Sequence, residues 1–460
     1  MKAIINRFKN FATILVFYSV ILLHGCSEYS RESITIEKTE FFNNHSLIYQ
    51  INVKLEKSGD LFIEYSAEED SNSLYTSLFK NKDHVVFHLT GLKPETNYQY
   101  VVHAKIEGNK IKSETGQFQS GPLPSGLPEL TLKKSNYLFD GYILLKTFYD
   151  PGALLMIDNN ADIVWYHIYD ETTVRAFNFS PDQKILSMTD SSTIEYLNLF
   201  GEIQSHIKTR SQGIDKLHHD ILRDSSGLTY GLTYNYKEVD LSSMGGLKND
   251  TILGDGIVAF SPEGKRIWDW DIFEHADPLQ DDSINYFKDD WSHANTINLD
   301  LDGNILLSLR NLNQIWKIDR KTGDVLWKTG TYADFTSPAN ELDFIHQHDV
   351  HINQYGHLMM FDNGNNDRGF SRILSIEFDE SKKQWHPVLN IKLDKDHHTF
   401  RMGSARYIDD KHILVSSPKR HMQISIIDEE GKILWNTLSD KSSYRAIYIN
   451  PEIVKHRKWF

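Results

Sequence analysis

The chain reads as all-β, with a small β module in front of a six-bladed β-propeller. Three observations carry that reading. Apolar and polar residues alternate from about residue 33 to 122 with no competing helical period. Beyond a proline-rich break, one hairpin pattern recurs six times between Met156 and Trp435. And 460 residues with 40% hydrophobic and 12% aromatic content supply a sizeable core, so disorder is excluded.

Composition also narrows function. With 49 basic and 63 acidic residues the net charge is -14, which argues against nucleic acid or an anionic membrane surface as the main partner. A single cysteine excludes an internal disulfide, iron–sulfur clusters and zinc sites built from paired cysteines. Chemistry must come from elsewhere, and 21 histidines are a rich supply. At the N-terminus Lys2, Arg7 and Lys9 precede an apolar run from Phe11 to Leu23, too short for a comfortable membrane span, and residues 1–25 read as a signal peptide. Its end, Leu23-His24-Gly25-Cys26, resembles the lipobox of bacterial lipoproteins. The resemblance implies lipidation at Cys26 and a protein anchored by lipid in the bacterial cell envelope, on the periplasmic or outer-membrane side.

Residues 26–122 form a tether and the first module. Ser46 to Lys54 and Leu61 to Tyr65 alternate as strands do. The segment Leu89 to Tyr98, with Pro94 leading a turn into Tyr98 and a further strand to Ala104, resembles the corner of a fibronectin type III domain. That resemblance implies an immunoglobulin or fibronectin III-like β-sandwich in which the Tyr98 hydroxyl bonds back across the corner. Residues 123–128, within a stretch that packs three prolines and two glycines into Gly121 to Pro128, are the linker.

From 129 to 460 the repeat takes over. Each copy is an apolar pair, a polar turn usually holding Gly, then an alternating strand that ends mostly in Trp: Trp165, Trp268, Trp327, Trp385 and Trp435, with Gln204 closing the second copy. Trp165 and Trp435 stand five intervals apart, about 54 residues each, a length that suits four-stranded blades with insertions. The tryptophans read as anchors between blades.

The histidines keep the phase of the repeat. Leu217-His-His-Asp220, Ser292-His-Ala-Asn295 and His346-Gln-His-Asp349 stand just before successive strand pairs, so three imidazoles converge at one end of the propeller channel. His218 and His219 are both candidates for the first of them. A metal centre is one reading, since three histidines suit zinc or copper and His346 and His348 fall on one face of an extended strand. Asp300-Leu-Asp-Gly-Asn304 begins like a calcium loop but has Asn311 where the twelfth-position glutamate belongs, and reads as a hairpin turn.

The combination of these segments with Ser308-Leu-Arg310, Gln347-His348 and Phe361-Asp-Asn-Gly364 resembles the bacterial arylsulfotransferases that do not use the nucleotide sulfate donor. The resemblance covers about residues 137 to 450. It implies a small-molecule aryl sulfate donor, a phenol acceptor, no cofactor, His348 as the nucleophile that becomes sulfated, and His219, His293, Asn295 and Arg310 as its catalytic companions. The residue types fit such chemistry. A neutral imidazole is a competent nucleophile near neutral pH, a guanidinium offers planar donors to sulfuryl oxygens, and a second imidazole moves protons in both directions. Arg368 and Arg372, beside the Phe361 segment, read as structural pairs. Two other classes stay open: a metal-dependent hydrolase or oxidase on the same histidines, and a ligand-binding propeller without catalysis.

Overall fold

The computed structural model describes residues 33–450 apart from 70–71, 149–150, 170–172, 282–283, 336–342, 380 and 420. Cys26 and the signal segment lie outside the described residues.

In the first module seven strands are hydrogen-bonded into one strongly curved sheet. The two strands expected at 46–54 and 61–65 are a single strand, Tyr49–Ala67. Its first half pairs with Ile34–Phe41 and Phe79–Leu89, and its second half with Asn97–Ile106. Alternate residues of both long strands are buried, which leaves one wet face and one core face. The strand stays continuous because Gly59 sits at the bend, where a Cβ would lie 2.7 Å from the Lys105 carbonyl. The Tyr98 hydroxyl accepts a hydrogen bond from the Lys93 backbone N–H at 2.8 Å, so the corner geometry is present within this continuous sheet. The module docks on the propeller through Tyr166, whose ring stacks on His45 and whose hydroxyl lies 2.8 Å from Ser46 Oγ.

Six sheets follow in ring order, five of four strands and the last of five. Their middle strands, such as Gly152–Ile157 and Leu358–Asp362, are buried along their whole length, because each blade face is covered by the next blade. The inner strands are Ile447–Ile449 in blade 1, then Val174–Phe179, Leu217–Arg223, Ala294–Leu299, His348–Ile352 and Ser404–Tyr407 in blades 2 to 6. Ile447–Ile449 comes from the far end of the chain and pairs with Tyr142–Thr147, while Leu130–Ser135 adds a fifth strand to the outer edge of blade 6. Both ends of the propeller segment therefore clasp the ring.

The hairpin tryptophans occupy matching places. Trp165, Trp268, Trp327 and Trp435 pair with Met156, Ala259, Lys317 and Ile426, each beside a bulge, and Trp385 pairs with Phe378. Trp165, Trp385 and Trp435 are buried. Trp268 and Trp327 are only partly so, and there the burial falls to Trp270 and Trp316, which contact edge to face.

Candidate active site

Four inner strands share a device. Their pairing slips by a bulge at Val174/Ala176 in blade 2, His218/Ile221 in blade 3, Ala294/Thr296 in blade 4 and His348/His351 in blade 5. A bulge re-aims the side chains around it, and at His219 (φ 51°), His293 (φ 48°) and Asp349 (φ 54°) the backbone adopts the left-handed region. Non-glycine residues hold that conformation only where surrounding contacts enforce it. The enforcement comes from ion pairs on buried carboxylates: Arg406, itself partly exposed, clasps the buried Asp349 carboxylate with Nη2 at 2.7 Å, and the buried Arg445 places Nη2 3.1 Å from the buried Asp220. Removing one partner of such a pair costs about 3–5 kcal/mol because the other charge stays buried.

The structure gathers the predicted histidines. The rings of His219 and His293 meet edge to face at 4.6 Å between centroids. Tyr444, buried, stands 6.1 Å from both His219 and His348 and so links them. Of the two adjacent histidines, His219 faces the cluster. His218 supports it from behind: its ring stacks on Tyr234, its Nδ1 lies 2.8 Å from His219 Nδ1, and its Nε2 lies 3.1 Å from the buried Asp255 carboxylate. His293 Nδ1 lies 2.5 Å from Asp290 Oδ2.

His348 is the most fully specified. Asn363 donates from Nδ2 to the carbonyls of Thr399 and Met402, both at 2.9 Å, which turns its Oδ1 toward His348 Nδ1 at 2.7 Å. The His346 carbonyl lies 3.0 Å from the same nitrogen. Two acceptors on Nδ1 assign the proton there, so Nε2 carries the lone pair, and it accepts the Met402 N–H at 3.1 Å. Burial, with Arg310 and His293 nearby, pushes the His348 pKa down to about 3. His219 is likewise held neutral by burial and by the surrounding imidazoles and Arg310.

Arg310 is braced rather than free: Nη1 donates to Asn311 Oδ1 at 2.7 Å and Nη2 to the Phe400 carbonyl at 3.0 Å. Its charge bears on His219, His346 and His348.

Asn295 is fully buried, and its Nδ2 donates to the Gln347 carbonyl at 2.7 Å, beside the strand that carries His348. One expectation needs correcting. His346 does not share a strand face with His348, because it precedes the strand with φ 56° and the period-two rule stops there. Among the described residues no three His, Cys, Asp or Glu side chains converge as a metal site. The acidic turn at Asp300 closes as a hairpin, with Lys317 Nζ 2.5 Å from Asp300 and 2.7 Å from Asp302. Arg368 and Arg372 both pair with the buried Asp362, as structural residues do.

Sequence reasoning missed Tyr444, Met402 and Asp290. The first two come from segments with no repeat partner, so periodicity carries no signal for them. Asp290 was findable as a carboxylate three residues before His293.

Among solved structures the chain is similar to a protein of unknown function from Bacteroides caccae, at 11% identity and a TM-score of 0.44, over 67% of this chain and 98% of that one. A virginiamycin B lyase from Staphylococcus aureus aligns at 11% identity and a TM-score of 0.34, over 68% and 99%. At these scores neither carries an argument. No curated protein matches the chain. The family model described as arylsulfotransferase (ASST) matches residues 129–423, well over half of the chain and every channel residue described above except Tyr444 and Arg445, so the chain belongs to the arylsulfotransferase family.

Proposed function

We propose that this propeller transfers a sulfuryl group from an aryl sulfate to a phenol in two half-reactions through His348. The observation that carries the reading is the tautomer: with Nδ1–H held by Asn363 Oδ1, the lone pair of His348 stands on Nε2, beside Arg310 and the other two imidazoles. In the first half-reaction Nε2 attacks sulfur, the N–S bond forms, and the S–O bond to the aryl group breaks. The departing phenolate takes a proton from His293, whose Asp290 partner stabilises the cationic ring before transfer. In the second, His293 takes the proton of the incoming phenol, the new O–S bond forms, and His348 regains its lone pair. Charge that spreads over the sulfuryl oxygens meets the Arg310 fork, and the Met402 N–H that caps Nε2 in the resting site turns to one of those oxygens. Neutral His219, backed by His218 and Asp255, contributes a hydrogen bond without competing for charge.

Incubation with an aryl sulfate alone should leave a sulfuryl adduct on the peptide that contains His348, and kinetics with a phenol should be ping-pong. An adduct on another residue, or transfer that requires both substrates bound together, overturns the scheme. Loss of activity to a chelator with recovery on added zinc favours the metal-dependent alternative instead.

Two further parts of the reading rest on sequence. The Tyr98 corner supports a fibronectin III-like module, and the lipobox resemblance supports a lipid on Cys26. Burial of each acyl methylene adds about 0.8 kcal/mol to membrane affinity, so Cys26→Ser should move the protein from the membrane to the soluble fraction. Unchanged membrane retention refutes the anchor.

A further inference from the structure

The inner strand of blade 2 carries the same bulge as those of blades 3 to 5 but no histidine. The cross-blade asparagines fix the equivalence: Asn178 donates to the Ile221 carbonyl of the next inner strand just as Asn298 donates to the Val350 carbonyl. Three residues before each of them stands the bulged position, Asn295 in blade 4 and Arg175 in blade 2. Asn295 is buried, whereas Arg175 is exposed on a strand that lines the channel.

The backbone there is anchored from behind. Lys146, fully buried, donates Nζ to the carbonyls of Val174 and Arg175 at 2.7 and 2.9 Å. Among the described residues the Arg175 guanidinium has no carboxylate partner. Its charge reaches Tyr234, the ring stacked on His218, as does that of Asp290. Arg175 thus stands on the rim of the same funnel. In a ring of six, blade 2 faces blade 5 across the channel, so Arg175 stands opposite His348.

Resting on the sulfuryl-transfer reading, we propose that Arg175 is a specificity-determining residue that binds a second anionic group, a carboxylate, on the aromatic ring of the substrate. Arg310 stands on blade 4, next to the nucleophile's blade, and serves the sulfuryl group. An aromatic ring that spans the channel then points its far substituent at blade 2. A carboxylate para to the reacting oxygen meets a planar cation with donors to spare, and a neutral substituent leaves that cation unpaired. The substrate class is therefore phenols and aryl sulfates that carry a carboxylate.

The test uses an isosteric pair of acceptors, 4-hydroxybenzoate and 4-hydroxybenzamide, with 4-nitrophenyl sulfate as donor. The wild type should favour the carboxylate in kcat/KM, and Arg175→Gln should lower the carboxylate-to-amide ratio by about 10- to 100-fold, the worth of one charged hydrogen-bonded contact. Arg175→Lys should restore part of it. An equal ratio in wild type and Arg175→Gln overturns the proposal. Calorimetric binding of the same two phenols to both proteins reads the Arg175 contact without turnover: a ratio that shifts in binding while no sulfuryl transfer occurs sinks the transfer reading and spares Arg175, and a ratio that shifts in neither sinks Arg175.

Discussion

Two histidine constellations in this molecule invite opposite conclusions. Between blades 5 and 6, His397 Nδ1 lies 2.7 Å from Asp394 Oδ1 and its Nε2 lies 2.9 Å from Ser425 Oγ, the arrangement of a hydrolytic triad. Among the described residues no channel histidine is hydrogen-bonded to a serine side chain. Yet His397 has both ring nitrogens committed to the protein, and Ser425 sits mid-strand in Met422–Asp428 with neighbours Val415 and Asn436 on either side, fully buried. His219 and His293 each commit Nδ1, and among the described residues their Nε2 atoms have no protein partner. His348 commits Nδ1 and yields Nε2 only to one loop amide. What separates the imidazole proposed as reactive from the structural one is the nitrogen left over, more than the company it keeps.

The largest effect that separates the two sets is on turnover. His348→Asn keeps a polar side chain of similar reach but no nucleophile, and transfer should fall at least about 10⁴-fold with little change in melting temperature. Ser425→Ala should retain full transfer activity. If Ser425→Ala inactivates and His348→Asn does not, the two roles have been exchanged.

The next effect is on stability. His397→Ala removes the bridge between the blade 5–6 loop and the middle of blade 6 and leaves the buried Ser425 hydroxyl only its longer bond to Asn436 Oδ1 at 3.3 Å. It should cost about 2–3 kcal/mol in denaturant unfolding while kcat of the folded fraction holds. A stable but inactive variant would move His397 into the catalytic group.

The smallest effect is in pH. Burial holds His346 and His351 down to about 4 and His348 to about 3, against an ordinary value of 6.5 in the unfolded chain. Between those values the unfolded chain binds more protons than the folded one, so stability falls as pH drops from about 6.5 and is untouched above it. Each such group contributes at most about 1.4 kcal/mol per pH unit. His351→Asn should flatten the slope of stability between pH 6 and 4 by up to that amount, and an unchanged slope would show that His351 does not titrate on unfolding.

The six blades were legible because hairpins are local: a turn residue, an apolar pair and a closing tryptophan fall within ten residues, as in Ala259 to Trp268. Which tryptophan becomes buried was not, since Trp268 and Trp270 stand on the same strand face and only the facing blade decides between them. The channel histidines were legible because a repeat phase survives in the sequence. The burial of Asn295 was not legible because a bulge is invisible there, and one extra residue in a strand exchanges channel for core. Tyr444 and Ile447–Ile449 belong to a non-local closure that leaves no periodic trace.

That closure has a consequence for how the protein comes into being. Tyr444 and Arg445 directly precede Ile447–Ile449, the strand that seals blade 1, and Leu130–Ser135 waits for a partner some 300 residues later in the chain. A nascent polypeptide can stack blades 2 to 5 as they emerge, but its first blade keeps an unpaired edge until the segment with Ile447–Ile449 leaves the ribosome. The aromatic link between His219 and His348, and the cation opposite Asp220, arrive with that same segment. The link between the channel histidines and the closure of the ring are thus acquired in one step, and a chain without this segment has neither.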